Sequence, residues 1–139
     1  MSRSFIKLFM ALHTALYRLT GGKFAGQIRG FPILLLTTVG RKSGQARTTP
    51  LGFLAYEGAY VIIGSNGGAD TDPAWVYNLR SNPRATIQVR DKTLEINAEF
   101  AGPDKRGAIW ARLIEVAPMY ANYEKATDRE IPLVILRPV

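Results

Sequence analysis

The residues best suited to chemistry lie in three short segments. The first is Gly40-Arg41-Lys42-Ser43-Gly44-Gln45-Ala46-Arg47. Its glycines permit backbone conformations closed to other residues and bring amide N–H groups close to a ligand, while its cations and serine hydroxyl supply charge and donors. That combination suits a phosphate: Arg41 and Arg47 offer forked donors and Lys42 a point charge. The spacing is not that of a P-loop, and a loop of this make-up also serves as a plain solvated turn. The second segment is Gly64-Ser65-Asn66-Gly67-Gly68, after a strand and before a proline-led helix. A serine there can present a hydroxyl and neighbouring amides to a flat heterocycle, or the segment is a simple loop of turn residues. Trp75, just inside the next helix, either covers a ring system or fills the core. The third is Pro118-Met119-Tyr120-Ala121-Asn122-Tyr123, whose tyrosines, three apart, share one helical face. They serve as core residues or as donors to an oxygen gaining charge.

What is missing narrows the chemistry further. There is no cysteine, which excludes thiolate nucleophiles, disulfides and cysteine-ligated metal centres. The single histidine, His13, cannot build a multi-histidine metal site, and no metal ligand set is expected. An enzyme made from these residues needs a cofactor for the hard step.

The elements that must position these segments follow from periodicity. Residues 33–38, 47–56, 59–64, 84–90, 93–100 and 133–136 read as strands, with hairpin turns at Glu57-Gly58 and Asp91-Lys92. Pro50 argues for an edge or a bulge in the second of these. Pro73 is expected at the first helical position of a helix over 74–80, and Pro103 opens another to Val116 whose inner stripe is Ala108, Ile109, Leu113 and Val116. A short helix follows Pro118 to about Ala126. Strands joined mostly by hairpins, with helices inserted late and no βαβ alternation, predict a small antiparallel barrel of six strands with flanking helices. With 139 residues, 47% apolar and 21% charged, one domain over 1–139 is expected.

Charge is uneven along the chain. The net charge is +7, yet residues 1–50 hold eight cations (Arg3, Lys7, Arg18, Lys23, Arg29, Arg41, Lys42, Arg47) and no acid. Such a field attracts anions or anionic surfaces. Phe5, Leu8, Phe9, Leu12, Leu16 and Leu19 predict an amphipathic helix over 3–20, ended by Gly21-Gly22 within an N-terminal segment 1–22. It either packs on its own domain or lies on an anionic membrane. The apolar run at 8–12 is too short for an export signal or a span, so the cytoplasm is the default address, with peripheral contact on the inner face of the membrane as an extension. A nucleic-acid-binding barrel is disfavoured despite a pI near 10, because clustered exposed aromatics interleaved with cations are absent.

Taken together, the segments are more specific than any one alone. Leu36 to Gly44 with Arg47 and Pro50-Leu51, then Ser65, Gly67-Gly68, Pro73, Trp75, Asn78-Leu79, Asn82-Pro83, and finally Pro118, Tyr120, Tyr123, Thr127, Arg129 and Ile131-Pro132, resemble the deazaflavin-dependent nitroreductase family, in order from about residue 31 to the C-terminus. The resemblance implies a split β-barrel related to flavin-mononucleotide-binding barrels, and coenzyme F420, an 8-hydroxy-5-deazaflavin with a phosphate and an oligoglutamate tail. It implies that Arg41, Lys42 and Arg47, with Ser43, Gly44 and Pro50 beside them, serve the anionic part of the coenzyme. Ser65, Asn66, Gly67, Gly68 and Trp75 would flank the deazaflavin. Ser65, Tyr120 and Tyr123 would act in hydride transfer to a quinone or nitroaromatic acceptor. A non-catalytic deazaflavin carrier would share the same pocket. Gly64 stands where alanine is usual, Asn66 where relatives carry lysine, and Ala117 where some carry tyrosine, the last weakening the case for nitroaromatic substrates.

Overall fold

The structure, a computed structural model, describes strand residues 27–28 and residues 31–139; the amphipathic helix expected over 3–20 lies outside the described residues. Among the described residues seven strands run β1 (Gln27–Ile28), β2 (Phe31–Val39), β3 (Ala46–Tyr56), β4 (Ala59–Ile63), β5 (Arg84–Val89), β6 (Lys92–Phe100) and β7 (Leu133–Pro138). The helices are α1 (Ala74–Ser81), α2 (Pro103–Val116) and α3 (Met119–Lys125). Strand order is β1-β2-β3-β4-β7-β6-β5, and an additional β2–β5 pairing closes the last six into an antiparallel barrel. β1 is a two-residue addition to the start of β2.

Turn chemistry and strand pairing explain the closure. Glu57 and Gly58 both adopt positive φ, at 47° and 77°, as a two-residue hairpin turn matched to strand twist requires. β3 then changes partner along its length: Ala46 to Gly52 pair with β2, and Phe53 to Tyr56 with β4. Pro50 falls in the first half, whose other edge is open, so its missing N–H costs no ladder bond on that side. The β2–β3 register passes through it without a bulge. The second hairpin turn is Arg90-Asp91 rather than Asp91-Lys92, because Val89 pairs with Lys92; Arg90 takes the positive φ of 56°.

Alternation along the strands separates two apolar cores. Leu34 and Leu36 of β2, Ile62 of β4, and Val134 and Leu136 of β7 point into the barrel with Ile87 and Ile96, and Trp75, Val76 and Leu79 of α1 pack onto them. The opposite faces, Val61 and Ile63 of β4 and Leu133 and Ile135 of β7, meet α2 and α3 outside. A strand buried on both faces reads as a continuous apolar run, as Leu133–Leu136 does. On α2 and its C-cap the inner stripe is Ile109, Leu113 and Ala117, while Ala108 and Val116 of the expected stripe are exposed. The stripe steps by i, i+4, so its next residue after Leu113 is Ala117. Pro73 is the N-cap of α1, with extended ψ of 157°, one position earlier than expected. Among the described residues no helix is long and apolar enough to cross a membrane.

Candidate functional site

Two cavities meet beside α1. The larger, about 700 Å³, is lined by the β2–β3 loop (Gly40, Arg41, Lys42, Ser43), by Ala46, Arg47, Thr48 and Thr49 of β3, by Thr38, and by Ala74, Trp75 and Asn78 of α1. The smaller, about 340 Å³, is lined by Ile33, by Thr49, Pro50, Leu51 and Gly52 of β3, by Ile63, Ser65, Asn66 and Gly67, by Pro73 and Trp75, and by Tyr120 of α3. Thr49 and Trp75 line both. Trp75 is therefore core and wall at once, buried to 5% exposure among barrel residues while facing both spaces.

The basic loop is closed on itself. Gly40 N–H donates to Gln45 O and Gly44 N–H to Gly40 O, each at 2.8 Å. Gln45 N–H donates to Ser43 Oγ at 3.2 Å. Gly44 sits at φ 70°, where a side chain would strain the turn, and a Cβ at Gly40 would come within 2.6 Å of Ser43 Oγ. Arg41 N–H donates to Asn78 Oδ1 at 3.0 Å, and Asn78 Nδ2 donates to Thr38 Oγ1 at 3.0 Å. Asn78 and Thr38 are both buried, and each satisfies the other as burial demands. The amides of Gly40, Arg41, Gly44 and Gln45 thus build the loop and are not turned to a ligand, contrary to the expectation from the glycines. What the loop offers is side chains: among the described residues no carboxylate lies within 4.0 Å of the Arg41, Lys42 or Arg47 cationic groups. Arg41 is steadied by stacking 4.8 Å over the Tyr77 ring.

At the other end, Ser65 is buried at 8% exposure, and Asn66, Gly67 and Gly68 form a single 3-10 turn after it. Asn66 takes a positive φ of 49°, a conformation asparagine tolerates, and its Nδ2 donates to Thr71 O at 3.0 Å. A lysine would supply neither property so readily. Gly68, at φ 84°, is inside the packing: a Cβ there would lie 3.0 Å from Ala126 Cβ and 3.4 Å from Tyr123 Cα. It lines neither cavity. At Gly64 an added methyl would stand 3.1 Å from both Pro132 Cδ and Val76 Cγ2, so alanine would press on α1 and on the segment before β7.

The two tyrosines separate in role. Tyr120 lines the smaller cavity, buried at 8% exposure, its ring edge-on to Phe31 at 6.1 Å and to Tyr123 at 5.6 Å. Its hydroxyl lies near Gly52, where a Cβ would approach it to 3.3 Å. Burial, with a smaller contribution from Tyr123, pushes its phenol up to about 12, so it is a proton-holding hydrogen-bond donor at neutral pH. Tyr123 supports the Tyr120 ring and lines neither cavity. Thr38, Thr49, Asn78, Asp72 and Arg129 are participants that residue-by-residue reading did not single out for the site. Thr38, Asn78 and Arg129 do stand among the residues that carry the resemblance, and Asn78 is also a polar residue beside Trp75 and Leu79 on α1.

The chain has relatives of known kind. The family model described as F420H(2)-dependent quinone reductase matches residues 9–138. The F420H(2)-dependent quinone reductase Rv1261c of Mycobacterium tuberculosis is 38% identical over 133 residues, covering 91% of this chain and 88% of its own. Among solved structures, an F420-H2 dependent reductase, FDR-A, aligns with a TM-score of 0.70 at 37% identity, over 76% of this chain and 94% of its own. A chain described as a domain-swapped dimer aligns at 0.72 with 34% identity, over 91% and 96%. With its closed six-stranded barrel and a matched span running through every segment of the two cavities, this chain belongs to the F420H(2)-dependent quinone reductase family.

Proposed function

We propose that this protein is an F420-dependent oxidoreductase that passes hydride from the reduced coenzyme to a quinone, with the two cavities as one continuous trough. The observation that carries the reading is the pair Thr49 and Trp75, shared by a cavity rimmed with unpaired cations and a cavity walled by apolar groups and hydroxyls. Cavities of these sizes are in the range that holds cofactors.

The residues present fit the coenzyme. Arg41, Lys42 and Arg47 would hold its phosphate and carboxylates, since a polyanion is best met by cations without resident acids. Ser43 and Pro50 line the same trough; Gly44 serves by shaping the loop. Trp75, with Ser65, Asn66 and Gly67, would flank the flat ring, and Gly68 lets that turn pack against α3. When bound, the reduced deazaflavin supplies a hydride, its N5-to-carbon replacement restricting it to two-electron chemistry.

The chain's own part is orientation and charge stabilisation. Hydride transfer requires the acceptor carbon within roughly 3–3.5 Å of the donor, a spacing that the walls from Trp75 and Tyr120 would enforce by excluding other poses. As negative charge builds on the quinone oxygen, Ser65 and Tyr120 donate hydrogen bonds to it. A phenol raised to about 12 donates without surrendering its proton, so Tyr120 acts as a polariser and Tyr123 as its support. Quinones are the acceptor class favoured here; nitroaromatics, which some relatives of the resembled family reduce with an additional tyrosine where this chain has Ala117, are the weaker class. Residues 3–20 would bring the protein to an anionic bilayer where such quinones reside.

A fluorescence titration with oxidised coenzyme F420, run beside flavin mononucleotide, is expected to show tight binding of the first only. Reduced F420 mixed with menadione should regain its oxidised absorbance at a rate proportional to protein. Binding without turnover would make the protein a carrier, and preference for the mononucleotide would overturn the reading. Removal of residues 1–20 should abolish sedimentation with anionic vesicles; binding unchanged by the removal would refute the role of that segment, and a wild type that does not sediment would refute membrane contact.

A further inference from the structure

Arg129 lies between α3 and β7 and lines neither cavity, yet its guanidinium donates to four acceptors on the loop that forms one wall of the smaller one. Nε donates to Ala69 O at 2.9 Å, Nη1 to Asp72 Oδ1 at 2.7 Å, and Nη2 to Ser65 O at 2.9 Å and Gly64 O at 3.1 Å. The pair with Asp72 is largely buried, at 15% and 20% exposure. Thr127 Oγ1 adds a bond to Asp70 Oδ1 at 2.9 Å and receives Arg129 N–H at 3.3 Å. The loop's own ties are the Gly68 N–H to Ser65 O, the Ala69 N–H to Asn66 O and the Asn66 side chain to Thr71 O.

We infer that Arg129 is a positioning residue for hydride transfer, holding the Ser65 hydroxyl and the Trp75 wall in register with Tyr120. This rests on the functional reading above. The carbonyls of Gly64 and Ser65 belong to the two peptide planes that flank the Ser65 Cα, and one Nη2 grips both. Peptide units are planar and trans, so fixing both planes fixes the direction in which the Ser65 side chain leaves the backbone. Asp72 immediately precedes Pro73, the N-cap of the helix that carries Trp75. The same guanidinium therefore sets the serine wall and the tryptophan wall, and Arg129 itself follows the helix that carries Tyr120. A lysine could meet Asp72 and one carbonyl; it lacks the fork needed for all four acceptors.

The test compares wild type with Arg129→Gln, Arg129→Lys and Asp72→Asn. In the protein without coenzyme, amide hydrogen exchange at Gly68 and Ala69 should quicken about tenfold or more in Arg129→Gln while β4 and β7 amides keep their protection. With coenzyme, kcat for menadione reduction should fall by about 30-fold or more, the coenzyme dissociation constant moving less than about threefold. Arg129→Lys and Asp72→Asn should fall between, and carry the comparison if the glutamine variant does not fold. Unchanged exchange at Gly68 and Ala69, equal losses in binding and turnover, or full restoration by lysine would each overturn the inference. A wild type that binds coenzyme without turning over would instead overturn the enzymatic reading and the role in hydride transfer, leaving exchange to decide whether Arg129 orders the loop.

Discussion

Arginines beside the two cavities are treated in opposite ways. Among the described residues Arg41 and Arg47 stand on an exposed loop and strand start with no carboxylate within 4.0 Å, while Arg129 is sunk against a loop and held by three carbonyls and Asp72. The difference follows from what each guanidinium faces. A cation meant for a mobile polyanion gains most if no internal acid competes for it, and it stays hydrated until the ligand arrives. A cation withdrawn from water has to meet acceptors at every donor, and in doing so it becomes part of the scaffold. On the proposed reading, unpaired charge marks recognition and paired charge marks construction.

That contrast can be broken first at the basic end. Replacing Arg41, Lys42 and Arg47 by alanine together should weaken F420 binding by about 100-fold or more, since each lost charge-assisted contact is worth roughly 1.5–3 kcal/mol; melting temperature should hardly move. The wild-type affinity should also fall steeply with salt, and the triple variant's should not. Affinity that survives neutralisation would show that these cations do not serve recognition.

At the buried end the expected loss is in rate and not in binding. Tyr120→Phe should lower kcat about 10- to 100-fold by removing one donor to developing charge, with the coenzyme dissociation constant unchanged. If Tyr123→Phe produces the same loss and Tyr120→Phe none, the assignment between the two is reversed.

Asn78→Ala sharpens the boundary between the ends. It removes the acceptor for Arg41 N–H and the donor to Thr38 in a buried setting, which should cost about 1–3 kcal/mol of stability by denaturant unfolding. Binding should loosen only several-fold, because the three cationic side chains remain. The smallest effect concerns pH. With the Tyr120 phenol raised from 10.0 to about 12, the folded chain retains a proton that the unfolded chain releases within that window, so its contribution to stability is intact below pH 10 and is lost as pH climbs toward 12. Tyr120→Phe should lack that alkaline loss, and turnover between about pH 6 and 9 should show no ionisation from this residue.

The legible parts of the molecule were those governed by near neighbours. Short apolar, β-branched runs bounded by turn residues located the barrel strands, Glu57-Gly58 marked a turn, and prolines at 73, 103 and 118 marked helix starts to within one position. The two-residue β1 carried no periodicity to detect. The Asp91-Lys92 turn was displaced by one because Arg90 gives no local hint that it will adopt positive φ. Of the candidate residues, Arg41, Lys42, Ser43, Arg47, Pro50, Ser65, Asn66, Gly67, Trp75 and Tyr120 line one or other of the two cavities, whereas Gly44, Gly68 and Tyr123 line neither.

By itself the sequence determined which chemistry was possible: no thiol, one histidine, an acid-free basic stretch over residues 1–50, and hydroxyls grouped near turns. Those are properties of composition and short spacing. Only the tertiary structure decided which groups remain available to a ligand. Asn78 meets Arg41 across 37 positions and Thr38 across 40, and Arg129 reaches Ser65 across 64. Such pairings arise when barrel closure brings distant backbone into range, and a hydrogen bond depends on distance and direction in space, which separation along the chain does not encode.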